Sequence, residues 1–313
     1  MQLCLMIEGQ EDVSWQQWVD LARTCERSGI PALFRSDHYM NLDGSHPERA
    51  ALDAWATLSA LAAVTSTVRL GTLVSPATFR HPSVLAKMVA TADQISGGRI
   101  ELGLGAGWHQ REHEAYGFPF PPTRVRIDIL EEQLQIVLGS WSDETLSFQG
   151  EHYTLTDLDA RPKPVQRPHP PLLMGGAAGP RSAALAARFA DEYNTAFPTV
   201  EQVRERKARI GEACERAGRP PIPFSVMTGV IVGADTAELH KRLARVAGLT
   251  GAESDAYVKN PPPGWIIGTV EEAAEQLRAL GEAGVSRVMC QHLAHDDLGA
   301  VELLGGELAP LVA

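Results

Sequence analysis

The sequence predicts an α/β fold in which eight parallel strands and their helices close into a (β/α)8 barrel, the TIM barrel architecture. Short apolar runs alternate with longer amphipathic segments from one end of the chain to the other, a pattern typical of repeated βα units. The chain has 313 residues, of which 44% are hydrophobic and 21% are charged, enough for one large core of this kind. We therefore expect a single barrel domain over 1–313, with small insertions near 142–171 and 249–265.

Four apolar runs predict the first half of the barrel. The expected strands are Gln2–Ile7, Pro31–Arg35, Val68–Val74 and Arg99–Leu104. The segments between them have helical periodicity, over Trp15–Arg27, Ala51–Thr65 and Ser83–Ile95. A further helix is predicted near Arg124–Trp141.

A hairpin and a connector are predicted in the middle of the chain. Gln149 and Gly150 form a turn signal between β-prone flanks, which favours a hairpin over Leu146–Leu155. The segment Asp157–Pro171 is rich in proline. Because proline favours extended backbone, we expect this segment to be a connector that leads to the fifth strand, Leu172–Met174.

The alternation of strands and helices resumes after the connector, with a helix that begins at Pro180. The later strands are expected at Glu192–Thr195, Ile222–Val232 and Val285–Cys290, and the later helices at Glu201–Ala217, Thr236–Ala247 and Thr269–Leu280. Thr269 is expected to cap the last helix, whose first turn carries two glutamates that the helix dipole favours. The irregular stretch over 249–265 is expected to be a surface excursion.

Composition and charge exclude several classes of partner. The chain has 28 Lys and Arg against 39 Asp and Glu, a net charge of −11, which argues against electrostatic binding to nucleic acid or to an anionic membrane. The four cysteines lack the short spacing of metal knuckles and redox motifs. The first residues do not resemble a signal peptide, and no later stretch approaches a membrane span. We expect a cytoplasmic enzyme with a small-molecule substrate.

The ends of the predicted strands carry the candidate site residues, because the active site of a (β/α)8 barrel lies where the strands end and their loops converge. His38 follows the second strand, and its imidazole can exchange a proton near neutral pH. Taken alone, such a histidine is more often a structural residue. Adjacent residues of a strand face opposite ways, so Asp37 and His38 need not act together.

The loop over 175–181 opens a helix with glycine and alanine. Small residues there would let backbone N–H groups approach a phosphate at the positive end of the helix, and Arg181 would add charge. The alternative is that these residues only close a tight turn. The loop matches neither the Walker A motif nor the dinucleotide fingerprint, so a nicotinamide Rossmann domain has no support.

The segment His109–His113 matches H-x-x-E-H, a zinc-peptidase pattern in which two histidines one helical turn apart bind metal. This interpretation needs a third ligand from elsewhere in the chain. A barrel-top loop or a short helix over a cofactor fits the surrounding glycines better. We expect no metal, and a plain polar turn remains an alternative.

Four segments together resemble luciferase-like monooxygenases, in the same order as in that superfamily. They are LFRSDHYM (33–40), VRLGTLVSPATFRHPSVLAK (68–87), SGGRIELGLGAGWHQREHEAYGFPFPP (96–122) and GGAAGPRSAALAARFADEYN (175–194). IGTVEE at 267–272 extends the likeness over nearly the whole chain. The GLGAGW block, followed by HEAYG, resembles actinobacterial oxidoreductases that use the deazaflavin coenzyme F420.

The resemblance implies a cofactor at the carboxyl end of the barrel, with its ring on a bulge in the third strand that often contains a non-proline cis peptide. Leu73 and Val74 match that bulge, and Asp37 matches an acid that contacts the ring. Backbone near Gly107 and in the 175–179 loop would hold the ring and the phosphate tail. The implied cofactor-binding residues are Asp37, Leu73, Val74, Ser75, Ala106, Gly107, Trp108, Gly175, Gly176, Ala177, Ala178, Gly179 and Asn194.

The candidate catalytic residues are His38, which the resemblance implies, and His109 and Glu112. His38 matches an active-site histidine of the sugar-phosphate dehydrogenase of this group, but the catalytic glutamate of that enzyme falls on Trp108. The sequence therefore favours another organic substrate, with His109 or Glu112 supplying the proton. We expect an F420-dependent oxidoreductase that transfers a hydride. An FMN-dependent monooxygenase is the alternative, a zinc hydrolase is a more remote one, and a homodimer is expected.

Overall fold

The strands follow the predicted order. The computed structural model describes residues 1–42, 44, 46–251, 257 and 260–313. In that part of the chain the strands are β1 (Gln2–Ile7), β2 (Ala32–Arg35), β3 (Arg69–Thr72), β4 (Ser75–Pro76), β5 (Ile100–Gly105), β6 (Leu146–Gln149), β7 (Thr154–Leu158), β8 (Leu172–Gly175), β9 (Glu192–Ala196), β10 (Phe224–Gly233), β11 (Ile266–Thr269) and β12 (Arg287–Gln291).

Helices follow most of the barrel strands, as the amphipathic segments predict. They are α1 (Trp15–Ser28), α2 (Ala54–Val64), α3 (Pro82–Ser96), α4 (Gln110–Tyr116), α5 (Thr123–Trp141), α6 (Pro180–Phe189), α7 (Val200–Arg216), α8 (Thr236–Thr250), α9 (Val270–Glu282), α10 (Leu298–Leu303), a π-helical turn (Leu304–Leu308) and α11 (Ala309–Val312). Thr269 caps α9 as predicted, in a capping box with Glu272. None of the helices in the described ranges is long and apolar enough to span a membrane.

Eight parallel strands close the barrel, which confirms the predicted fold class. β1 pairs with β2 and with β12, so the first and last barrel strands meet. The remaining neighbours are β2–β3, β3–β5, β5–β8, β8–β9, β9–β10 and β10–β12. The third predicted strand is interrupted: it ends at Thr72 and resumes as β4, which pairs with β5.

Two elements lie outside the barrel. β6 and β7 form the predicted antiparallel hairpin, although β7 runs to Leu158 and so enters the segment expected to be connector. β11 was not predicted, and it pairs with the last four residues of β10, beyond the part of β10 that β12 covers. Much of the excursion predicted over 249–265, namely 252–256 and 258–259, lies outside the described residues.

The barrel interior has an apolar middle and a charged floor. Cys4, Met6, Phe34, Leu173, Met227 and Met289 pack inside it, while a larger cluster joins the strands to the helices. At the amino-terminal end, Arg287 Nη2 lies 2.8 Å from Glu101 and 2.9 Å from Glu192. Because these groups close the floor, the open end of the barrel is the carboxyl end of the strands, as in other (β/α)8 barrels.

Candidate active site and cofactor site

A cavity of about 1130 Å³ opens among the carboxyl ends of the barrel strands. That volume slightly exceeds the range of typical small-molecule and cofactor sites, about 300–1,000 Å³. Nine of the predicted site residues line it: His38, Leu73, Val74, Gly107, Trp108, Gly175, Gly176, Ala177 and Asn194. The other predicted residues lie behind this wall or beside it: Asp37, Ser75, Ala106, His109, Glu112, Ala178 and Gly179.

The bulge in the third strand stands in the cavity wall. A cis peptide bond joins Leu73 to Val74, between β3 and β4. The neighbouring strand β5 has glycines at this point: a Cβ on Gly105 would lie 2.8 Å from Val74 Cγ2, and one on Gly103 would lie 2.1 Å from Thr72 O. The glycines of the G-L-G-A-G block therefore permit the close approach of the backbone at this point.

The loop over 175–179 presents backbone to the cavity. Gly176 N donates to Asn194 O at 3.0 Å, and Ala178 N donates to the Tyr193 hydroxyl at 2.9 Å. Gly179 caps α6 without a side-chain hydrogen bond, and a Cβ on it would meet nothing within 4 Å. The first turn of α6 is thus open to an anion. Arg181 lies elsewhere, because its guanidinium pairs with Asp128 at 2.5 Å.

Asp37 is turned away from the cavity, in contrast to the ring contact that the resemblance implies. Both of its carboxylate oxygens bind Arg80, at 2.6 and 3.1 Å, and Ser75 Oγ donates to Oδ2 at 2.6 Å. The side chain of Asp37 is almost completely buried. Asp37 and Ser75 therefore hold the end of β2 against β4, and His38 alone of the pair faces the cavity.

His38 and Glu112 form a buried hydrogen-bonded pair. Glu112 Oε2 accepts from His38 Nδ1 at 2.7 Å, and Glu112 Oε1 accepts from the Tyr39 backbone N–H at 2.5 Å. Glu112 is completely buried in the first turn of α4. Since the carboxylate holds Nδ1, the other ring nitrogen, Nε2, is left for the cavity.

The environment of His38 raises the pKa of its imidazole. Burial alone lowers that pKa, but the hydrogen bond and the negative charge of Glu112 outweigh burial. His38 thus carries a proton over a wider range of pH than an isolated histidine does. This is the property expected of a group that donates or holds a proton near neutral pH.

The two histidines of the H-x-x-E-H segment form hydrogen bonds within the protein. His113 Nδ1 donates to His109 O at 2.8 Å, and the Thr78 hydroxyl bonds to His113 Nε2 at 2.6 Å. Both ring nitrogens of His113 are therefore occupied, which leaves neither for zinc. His109 Nε2 donates to Leu42 O at 3.0 Å, and its Nδ1 lies 3.8 Å from Glu112 Oε2. The segment lies in the short helix α4, which is one of the two forms, a barrel-top loop or a short helix, predicted for it.

Several residues that line the cavity were not predicted from the sequence. Glu8 follows β1 directly and accepts from Gln291 Nε2 at 2.8 Å and from Gln10 Nε2 at 2.9 Å. His295 and Phe197 also line the cavity. Glu8 stands at a strand end, so the rule that identified His38 applies equally to it; His295 lies four residues beyond β12, where sequence gives no such signal.

Known proteins share this architecture and sequence. The luciferase-like monooxygenase model matches residues 4–260. The chain belongs to this family. It is 34% identical over 227 residues to an uncharacterised protein of Mycobacterium tuberculosis, covering 72% of this chain and 77% of that one. Members of the family that resemble this chain use two different cofactors.

An FMNH2-dependent dimethylsulfone monooxygenase of Pseudomonas putida is 28% identical over 325 residues, covering 93% of this chain and 86% of its own. An F420-dependent glucose-6-phosphate dehydrogenase of Microbacterium testaceum is 27% identical over 317 residues, covering 93% and 92%. An F420-dependent secondary alcohol dehydrogenase, solved with an F420-acetone adduct, superposes with a TM-score of 0.82 at 20% identity and full coverage of both chains. The chain thus has the fold of this family, and the family consists of oxidoreductases.

Proposed function

We propose that this protein is an F420-dependent oxidoreductase that transfers a hydride between the deazaflavin and a small organic substrate. The observation that carries the proposal is the His38–Glu112 pair, because His38 lines the cavity together with the Leu73–Val74 bulge and the glycine loop over 175–177. Hydride transfer needs a group that donates or accepts a proton next to a surface that binds a planar ring.

The residues present fit an anionic cofactor with a flat ring. Val74 and the glycines packed around it form one side of the cavity, where a Cβ on Gly175 would lie 3.3 Å from Val74 Cγ1. The end of the cavity near the 175–177 loop and Asn194 favours negative charge. The uncapped first turn of α6 lies there, and so does the guanidinium of Arg206. We propose that Leu73, Val74, Gly107, Gly175, Gly176, Ala177 and Asn194 hold the cofactor.

His38 handles the proton in this proposal. When bound, a deazaflavin supplies a two-electron hydride carrier that activates oxygen poorly. Glu112 holds His38 Nδ1 and thereby directs Nε2 towards the reacting end of the cavity. His38 Nε2 then donates a proton to the substrate heteroatom, or removes one, in step with the change in charge. Leu73 and Val74 place apolar side chains in the same cavity wall.

An FMN-dependent monooxygenase is the second candidate. The P. putida relative supports it, because the likeness to that FMNH2-dependent enzyme extends over 93% of this chain. Both cofactors have a tricyclic ring and a phosphate, so the fit described above serves either one.

Cofactor titration tests the choice between the two. We expect the purified protein to bind F420 with micromolar or tighter affinity, observed by quenching of deazaflavin fluorescence, and to bind FMN at least tenfold more weakly. Tight binding of FMN without F420 would reverse the assignment. Light scattering of the same sample tests the homodimer, which remains a proposal together with the cytoplasmic location.

A further inference from the structure

Glu8 is a carboxylate of the cavity wall to which the proposed function gives no role. It follows β1 directly, and its side chain lines the cavity together with that of His38. β1 and β2 are neighbours in the barrel: Ile7 pairs with Arg35, and Ser36 N donates to Ile7 O at 3.1 Å. Because both strands end at the same edge of the barrel, Glu8 and His38 lie in adjoining parts of one wall.

Two neutral amides hold the Glu8 carboxylate in place. Gln291 Nε2 donates to its Oε1 at 2.8 Å, and Gln10 Nε2 donates to its Oε2 at 2.9 Å. Gln10 is held in turn, because its Oε1 accepts from the Ser36 hydroxyl at 2.5 Å, and Ser36 Oγ accepts from Gly9 N at 2.9 Å. Both glutamines and the serine are buried. This network fixes the carboxylate without adding positive charge.

No ion pair neutralises Glu8 in the described ranges of the chain. The guanidinium of Arg35 lies beside Gly9, but it donates to Ser36 O at 3.1 Å and to Leu52 O at 2.8 Å. Three other carboxylates of the cavity wall each have a basic partner: Glu11 with Arg49, Glu48 with His46 and Asp296 with Arg245. The negative charge of Glu8 is therefore presented to the cavity.

Other charged and titratable groups also face His38. On α4, Glu112 bonds to its Nδ1 at 2.7 Å, and the ring of His109 lies 6.2 Å from its ring. The preceding residue, Asp37, is paired with Arg80. Glu112 is completely buried and does not line the cavity. Its charge therefore reaches the imidazole from inside the protein.

The charge of Glu8 reaches the same imidazole. Burial lowers the pKa of His38, and the hydrogen bond and charge of Glu112 raise it most. The charge of Glu8 raises this pKa further, ahead of that of Asp37. Two carboxylates thus act on one ring, one from within the protein and one from the cavity wall.

We propose that Glu8 is a positioning residue for proton transfer, which acts through His38 by facing the imidazolium from the cavity wall while Glu112 holds Nδ1 from behind. The inference rests on the proposed function, because the proton is the one that accompanies the hydride. When His38 donates this proton, its Nε2–H bond breaks and a bond from hydrogen to the substrate heteroatom forms. The imidazole is then neutral, and both carboxylates favour the return of a proton from water.

NMR titration of 15N-histidine-labelled Glu8→Gln tests this role without cofactor or substrate. We expect the proton-binding constant of His38 to fall about two- to tenfold, because a negative charge is lost. Glu8→Asp keeps the charge and should restore at least half of the loss on a logarithmic scale. Glu48→Gln changes the charge of the same wall, but Glu48 is exposed and bonds to His46, so the constant should change less than about 1.5-fold.

Carbon NMR of 13C-glutamate-labelled wild type provides a second measurement if Glu8→Gln does not fold. Electrostatic coupling is mutual, so the Glu8 carboxyl signal should shift at the pH where His38 titrates, and this step should be absent in His38→Asn. Once a substrate is known, the alkaline limb of the pH–rate profile should move towards acid in Glu8→Gln by the same factor as the proton-binding constant.

Three results would overturn the inference. They are an unchanged His38 titration in folded Glu8→Gln, an equal loss in Glu8→Asp, and a Glu8 carboxyl signal that does not respond to His38. The cofactor titration fails or succeeds separately, because tight binding of FMN without F420 would reverse the proposed function and leave the coupling between Glu8 and His38 in place.

Discussion

Replacing Glu112 with glutamine tests the central pair of the site. We expect Glu112→Gln to lower the pKa of His38, to reduce turnover and to destabilise the fold. The pKa falls because the variant removes the negative charge and the strong acceptor that raise it, whereas the burial that lowers it remains. The imidazole should then titrate below its usual range.

The distances set the size of the effect on stability. Glu112 accepts from His38 at 2.7 Å and from Tyr39 N at 2.5 Å, and hydrogen bonds to a charged group contribute about 1.5–3 kcal/mol each. A glutamine oxygen keeps one of these bonds in a weaker, neutral form. Because His38 is 12% and Glu112 is 0% exposed, solvent screening is small. We expect a loss of about 2–4 kcal/mol at pH values where His38 is protonated.

The pH dependence of this loss has a definite sign. His38 has a raised pKa in the folded protein, so its stabilising contribution is complete below the pKa of the unfolded chain, about 6.5. That contribution disappears as the pH rises through the folded pKa. The difference in unfolding free energy between wild type and Glu112→Gln should therefore be larger at about pH 5.5 than at about pH 9.

NMR titration of 15N-histidine-labelled protein measures the pKa directly, and urea unfolding at the two pH values measures stability. Turnover, once a substrate is known, should fall about 10²–10⁴-fold, the usual contribution of general acid–base catalysis. Glu114→Gln is the matched control, since Glu114 lies on the same helix, is exposed and bonds to Gln110. The reasoning fails if His38 titrates identically in wild type and Glu112→Gln, or if Glu114→Gln shifts it equally.

Three further changes test the supports of the site. Arg287→Met should lower the free energy of unfolding in urea by about 3–5 kcal/mol, because it leaves the buried Glu192 unpaired and Glu101 with Arg69 alone at the barrel floor; a loss below 1 kcal/mol would contradict this role. Gly103→Ala should lower the free energy of unfolding by about 1–3 kcal/mol and weaken cofactor binding, because the new Cβ would meet Thr72 O. Gly211→Ala is the control: a Cβ there lies in open space on α7, so stability should be unchanged. Asp37→Asn should lower the melting temperature through the lost Arg80 pair while F420 affinity changes less than threefold; a large loss of affinity would restore the ring contact.

Much of the fold could be predicted because periodicity records which side of each segment is buried. Most of the eight barrel strands coincide with apolar runs in the sequence, although β9 has the more polar sequence EYNTA. β11 was not predicted, because it pairs only with the last four residues of β10, which extend beyond the partner strand β12. The break between Thr72 and Ser75 was predicted only from the family resemblance, because nothing in the local sequence specifies it. The single-domain organisation remains a prediction.

The site was less predictable, because side-chain direction decides which strand-end residues reach the cavity. Asp37 and His38 are neighbours, yet Asp37 faces Arg80 and His38 faces the cavity; alternation predicts that they differ but not which one points inwards. Glu112 meets His38 across 74 residues of sequence. Its position under the imidazole depends on where α4 begins after β5, which no local pattern fixes.

The hydrogen bond from Arg49 to Leu249 O joins the loop that follows β2 to the last turn of α8. His38 and Glu112, in contrast, lie directly after β2 and in the first turn of α4. Selection can therefore exchange the loops that follow β2 and α8, and with them the molecules that the protein accepts, without disturbing the group that moves the proton. A scaffold divided in this way lends itself to diversification by gene duplication, and equally to laboratory evolution of new substrate ranges through the loops alone.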